Sequence, residues 1–121
     1  MEYGYSQQTG SPFRGRVLEE LCAFLARMGL RYAPGIAHTV LVRDSEGRIA
    51  ATGSLEGDVI KCVAVDAALQ GAGLTAAVLT ALRLIALEEG RRRLFLYTKP
   101  ENSSRFAGLG FWEVARTARA L

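Results

Sequence analysis

Two adjoining stretches decide how this chain folds. The first is Val59-Ile60-Lys61-Cys62-Val63-Ala64-Val65, and the second is Gln70-Gly71-Ala72-Gly73-Leu74-Thr75. The first is a nearly continuous apolar run, which reads as a central strand covered on both faces. The second opens a long apolar segment that runs to Glu89 and is closed by Gly90, which reads as a helix. Glycines between a strand and a helix allow a tight turn and let a ligand approach without a Cβ in the way. The first N–H groups of the helix have no partner of their own and point outward, and the helix dipole favours an anion there. The turn therefore predicts a phosphate or pyrophosphate cradle.

Working outward, Ser11-Pro12 reads as an N-cap and first helical residue. Val17, Leu18, Leu21, Cys22, Leu25 and Met28 follow at helical spacing, and Gly29 reads as a left-handed terminator. A first helix is thus expected from about Pro12 to Met28, after a flexible start over residues 1–11. Thr39 to Arg43 and Arg48 to Leu55 read as a hairpin around Asp44-Ser45-Glu46-Gly47. Leu94 to Thr98 reads as a buried strand, Asn102 to Ala107 as a short helix, and Phe111 to Arg116 as a last strand. A hairpin feeding a strand–helix–strand crossover implies a mixed sheet with helices on its faces.

Composition narrows the function classes. The 121 residues, half of them apolar, suit one domain with one core. The formal charge is +3, and of fifteen basic residues only Lys61 and Lys99 are lysine. No strand or helix carries a basic stripe interleaved with aromatics, so an anionic small molecule is the better partner and no nucleic acid is expected. Cys22, Cys62 and the single histidine, His38, form no zinc spacing, so no metal is expected. Two free thiols, the polar start and the absence of a long apolar span predict a soluble cytoplasmic protein with no membrane segment. There is no Gly-Lys-Ser/Thr, and only part of the dinucleotide fingerprint is present.

With that context, the sequence resembles the GNAT superfamily of acetyl-CoA-dependent acyltransferases. The family loop Gln/Arg-x-x-Gly-x-Gly/Ala reads here Gln70, Gly73 and Thr75. Val63-Ala64-Val65 before it and Leu109-Gly110-Phe111-Trp112 near the end fall in register, so the resemblance covers about Thr39 to Arg116. It implies the GNAT acyl-CoA N-acyltransferase fold, an α/β (α+β) domain whose mixed sheet is mainly antiparallel with helices on both faces. By the same likeness Val63, Ala64 and Val65 would pair with a pantetheine arm. The N–H groups of Gln70, Gly71, Ala72, Gly73, Leu74 and Thr75 would hold the CoA pyrophosphate, and Asn102 and Phe106 would complete the binding set, with Asn102 reading otherwise as the cap of the short helix it begins. Thr75 departs from the small residue of the family; it adds a hydroxyl and a branch that tighten the loop without abolishing binding.

Ile60 to Val65 and Phe95 to Lys99 are more closely similar to the N-terminal GNAT-like domain of citrate lyase ligases. That likeness implies acetylation of the prosthetic-group thiol on the citrate lyase acyl carrier protein, a group built from dephospho-CoA. The ligand would be acetyl-CoA or such a dephospho-CoA-like arm. The adenylate-forming part of such enzymes is a separate domain with no counterpart here. The chain stops where the fold's last strand should be forming, so the whole of residues 1–121 is expected to be one domain excised from, or truncated within, a longer product.

The acid–base apparatus of the family reads as incomplete. Its usual tyrosine falls at Phe106, which cannot donate a proton, leaving Tyr97 as a substitute. Where a carboxylate base often stands, the strand carries Lys61, with Glu56 and Asp66 only at its ends. Lys61 reads either as a lysine that snorkels to solvent or as a cation for a thioester or carboxylate. Cys62 should alternate to the opposite face as a small core residue. Lys99 and Arg105 are phosphate contacts or surface charge. Arg91-Arg92-Arg93 reads as a solvated turn or a patch for an acidic carrier, and His38 receives no role. Leu74 to Leu87 is apolar on nearly every side, which leaves part of it for another domain or a homodimer contact. A non-catalytic recognition module and a stand-alone amine N-acetyltransferase are the competing functional readings.

Overall fold

The computed structural model describes residues 4–70 and 73–96. Five strands, β1 (Ser6–Gly10), β2 (His38–Arg43), β3 (Ile49–Glu56), β4 (Val59–Val65) and β5 (Phe95–Leu96), form one sheet in that order. The pairs β1–β2, β2–β3 and β3–β4 are antiparallel, and β4–β5 is parallel. Helix α1 (Gly15–Arg27) and helix α2 (Leu74–Glu88) cover opposite faces.

Alternation along β2 sorts the core. Val40 and Val42 join a buried cluster with Leu74, Val78, Leu79 and Leu82 of α2. Leu41, between them, joins a second cluster with Leu21, Phe24 and Leu25 of α1. Both helices close as their glycines predict. Gly29 and Gly90 have φ of +75° and +79°. Leu30 N–H reaches Leu25 O at 2.8 Å and Arg91 N–H reaches Ala86 O at 2.9 Å, the bond of a Schellman close that spans more residues. At the hairpin turn, the Asp44 carboxylate accepts from the N–H groups of Glu46 and Arg48.

Several expectations need correction. Residues 6–10 are not part of a flexible start. They form the edge strand β1, whose polar residues Ser6 to Thr9 are exposed and are held by backbone pairing to β2. Ser11 and Pro12 do not begin the first helix. They follow β1 in a turn with a cis peptide bond, and α1 starts at Gly15 with extended Arg14 as its N-cap. The Ser11 hydroxyl is not free to cap because it lies 2.9 Å from His38 Nδ1.

His38, given no role by the sequence, joins three elements: its Nε2 also meets Glu89 Oε2 at 2.7 Å, beyond the end of α2. Finally, β4 is covered on both faces but not along its whole length. Ile60, Cys62, Ala64 and Val65 are buried, while Val59, Lys61 and Val63 are half-buried.

Of the long apolar helix, Leu84 and Leu87 remain more than half exposed, at 58% and 56%. No helix among the described residues is long and apolar enough to cross a membrane.

Candidate functional site

The site grows from an irregularity in β4. Thr52 pairs with Ala64 and Ser54 with Lys61, so two residues advance on β3 while three advance on β4. The extra residue is a bulge, and Cys62 within it takes a left-handed φ of +56°. Such a conformation is uncommon for a residue with a Cβ and costs strain. Facing the bulge is Gly53. A Cβ there would stand 2.4 Å from Val78 Cγ1, so the glycine lets α2 lie close against the sheet.

The bulge also resets which way β4 residues face. Ile60, Val63 and Val65 pack with the α2 cluster, whereas Cys62 and Ala64 belong to the α1 cluster. Lys61 is in register with Ser54, two residues from Glu56 on the same face, and its Nζ donates to Glu56 Oε1 at 2.7 Å. Lys61 and Cys62 thus share the α1 side, and the alternation expected of them is broken by the inserted residue. Burial pushes the Cys62 thiol up, so it stays protonated at neutral pH, and its Sγ donates to the Arg31 carbonyl at 3.3 Å. It is a core thiol, as the sequence suggests, and not an activated nucleophile.

Beyond the bulge the chain turns toward α2. Asp66 N–H bonds Ala50 O at 2.8 Å, and the Asp66 carboxylate caps a 3-10 turn at Ala67–Leu69 through Ala68 N–H. Gln70 folds back so that its Nε2 donates to Val65 O at 2.8 Å, tying the loop to the strand end. Gly73 is the N-cap of α2 with φ +78°, and a Cβ there would meet open space. The glycine is needed for its backbone conformation, and it leaves the approach to the helix clear.

The first turn of α2 has no side-chain cap and no acidic residue. The first intrahelical bond runs from Ala77 N–H to Gly73 O, so the N–H groups of Leu74, Thr75 and Ala76 are without helical partners. Leu74 itself is buried and anchors the helix start, and Thr75 is half-buried beside it. An anion at this end would meet the positive pole of a fifteen-residue helix.

The structure brings the expected Val63, Ala64, Val65, Gln70, Gly73, Leu74 and Thr75 together at one end of β4. Pairing by β5 reaches only Val59 and Ile60 among the described residues. It places Lys61 on the α1 face in an ion pair. Gly71, Ala72, Tyr97, Lys99, Asn102, Arg105 and Phe106 lie outside the described residues. The bulge and the Glu56 partner of Lys61 are what sequence reasoning missed. Glycine at position 53 in an otherwise β-forming run was the available signal. Among the described residues no group of three or more His, Cys, Asp or Glu is placed to hold a metal.

No protein-family model matches the chain. Three curated proteins do. The citrate (pro-3S)-lyase ligase of Klebsiella pneumoniae is 43% identical over 76 residues, covering 63% of this chain and 22% of that protein. That of Haemophilus influenzae is 35% identical over 92 residues, 76% of this chain and 28% of the relative. That of Escherichia coli K12 is 32% identical over 94 residues, 78% and 26%. The chain thus spans about a quarter of the length of these relatives.

Solved structures agree on the fold. An acetyltransferase of Trypanosoma brucei superposes with a TM-score of 0.77 at 20% identity, covering 95% of this chain and 97% of that one. Glucosamine-6-phosphate N-acetyltransferase of Arabidopsis thaliana gives 0.71 at 15% identity, covering 96% and 98%. AAC(6′)-Iy in complex with the bisubstrate analog CoA-S-monomethyl-acetylneamine gives 0.69 at 14% identity, covering 95% of each chain. The chain is a GNAT-fold domain related to the citrate lyase ligases.

Proposed function

We propose that this domain binds a CoA-type ligand, acetyl-CoA or a dephospho-CoA-like pantetheine arm. The observation that supports it most is the uncapped start of α2 behind left-handed Gly73, set directly beyond the bulged β4. The residues suit such a ligand. The N–H groups from Gly73 into the first turn offer donors to a pyrophosphate, and no acidic side chain in that turn opposes it. The free space where a Gly73 Cβ would stand keeps the approach open. Ala64 and Val65 pair to β3 on one side, with Val63 in the bulge before them, and their other edge, unpaired among the described residues, would meet the amides of a pantetheine arm.

When bound, an acetyl thioester supplies the activated acyl group. The described residues supply binding and orientation. Lys61 is held by Glu56 and Cys62 is a protonated core thiol, so neither stands ready as a base. That favours a division of labour in which these residues hold the arm and the acyl transfer is carried out by other groups. The likeness to citrate lyase ligases supports placing this domain in the acetylation of a prosthetic-group thiol on an acyl carrier protein, the role the family resemblance implies. A purely recognising module is the second reading, favoured by the same engaged Lys61.

Calorimetric titration with CoA, acetyl-CoA and dephospho-CoA tests the reading. Saturable heat is expected with at least one, and Gly73→Val should weaken it about tenfold or more by obstructing the approach to the helix. No heat with any of the three removes the proposal. Consumption of acetyl-CoA with simple amines by this chain alone removes the recognition-module reading.

A further inference from the structure

Ser11, His38 and Glu89 come together from three separate elements. Ser11 follows the last residue of β1, His38 begins β2, and Glu89 is the C-cap of α2. Ser11 Oγ lies 2.9 Å from His38 Nδ1, and His38 Nε2 lies 2.7 Å from Glu89 Oε2. Each backbone is anchored where the side chain leaves it. Gly10 pairs with Thr39 and His38 with Leu55, and Glu89 N–H reaches the carbonyls of Ile85 and Ala86 at 3.2 and 3.1 Å.

The partners fix where the protons stand. The hydrogen bond from His38 holds the Glu89 carboxyl below its usual range, so it is ionised at neutral pH and can only accept. In the neutral ring Nε2 must then carry the hydrogen, which leaves Nδ1 bare. A bare Nδ1 accepts, so the Ser11 hydroxyl directs its hydrogen at it. A nucleophile in reach of a base that a third group orients is the arrangement that activates a serine. An imidazolium formed on taking that proton stands beside the Glu89 carboxylate at the carbonyl end of a fifteen-residue helix, and both favour the cation. The His38 side chain is 18% exposed and so held in place, while Ser11 is open to solvent.

We propose that Ser11, His38 and Glu89 form a nucleophilic site that takes the acyl group of activated esters. Ser11 Oγ attacks the ester carbonyl carbon, and its proton passes to His38 Nδ1. The bond from that carbon to the leaving oxygen breaks, and the leaving oxygen takes the proton from His38. Ser11 is left as an ester. Water, deprotonated at the same Nδ1, then releases the acid, and the proton returns to Ser11 Oγ. One ester and one water thus give one acid and one alcohol. Because Ser11 is exposed, the reactivity of the ester rather than the shape of a pocket selects the substrate, and aryl esters with weakly basic leaving groups suit it. Glu89 is a positioning residue that touches no reacting atom. The site lies at the far end of α2 from Gly73, about 22 Å along the helix, and does not depend on a CoA-type ligand.

An alkyl fluorophosphonate, whose serine adduct does not turn over, locates the nucleophile in the 121-residue chain. Tandem mass spectrometry of the peptide Met1 to Arg14 compares Ser11 with Ser6, which is also exposed. Label on Ser11 should exceed that on Ser6 about tenfold or more, and the excess should vanish in urea. Ser11-dependent release of nitrophenolate from p-nitrophenyl acetate should fall about tenfold in His38→Gln and less in Glu89→Gln, with part recovered in Glu89→Asp. No label on Ser11, equal label on the two serines, an excess that persists in urea or in His38→Gln, or nitrophenolate release unchanged in Ser11→Ala would each overturn the proposal. Should His38→Gln fail to fold, the comparison of the two serines with and without urea decides alone.

Discussion

The two faces of the sheet solve burial differently. Under α2 the interior is aliphatic throughout, from Val40 and Val42 to Leu82 and Ala86, and the helix approaches closely over a missing side chain at Gly53. Under α1 the cluster is also apolar at its centre, yet it is bordered by buried Thr39, Thr52 and Ser54 and by the Lys61–Glu56 pair. The first face is a packing surface, where shape sets the energy. The second holds hydrogen-bonding capacity that the fold alone does not spend. Thr52 illustrates the contrast, since its hydroxyl is fully used on Val40 O at 2.9 Å, while the Thr39–Ser54 pair keeps one proton over.

The sharpest way to break this comparison is at Gly53. Gly53→Ala should cost about 1–3 kcal/mol by overpacking against Val78. Adding Val78→Ala should recover part of the loss, because the two sites share one contact. Urea unfolding of the four proteins checks this, and additive effects would show that the close approach does not set the height of α2.

On the other face a smaller and opposite pattern is expected. Ser54→Ala should cost about 1 kcal/mol by stranding the Thr39 hydroxyl, whereas Thr39→Val with Ser54→Ala should lie nearer wild type. A double variant as costly as the sum of its singles would mean the pair is structural and has no proton to spare.

The smallest effect concerns the rim. Hydrogen bonds from Arg43 hold the Glu20 carboxyl below its usual range, and His38 does the same for Glu89. Groups depressed in the folded state stabilise it above their unfolded pKa and lose that contribution as pH falls through the folded value. Melting temperature should therefore be flat above about pH 5 and decline toward about pH 3. Glu20→Gln should reduce the decline slightly, since both partners are partly solvated.

Much was legible in particular residues. Gly29 and Gly90 announced their helix ends because only a left-handed residue completes that close. The β-branched runs at 39–43 and 59–65 announced strands, and Gln70 to Thr75 announced a turn into a helix. The edge strand β1 was hidden because Ser6-Gln7-Gln8-Thr9 has no apolar pattern; its order comes from backbone bonds to β2. His38 was hidden because its partners, Ser11 and Glu89, are 27 and 51 residues away.

By itself the sequence determined the periodicities and the turns, Gly73 before α2 among them, since these rest on interactions within a few residues. Only the tertiary structure decided the bulge at Cys62, the face on which Lys61 lies and the burial of the Tyr32 hydroxyl without a hydrogen-bond partner among the described residues. A bulge exists only relative to the strand beside it, and the partners of a hydroxyl are set by residues distant in the chain.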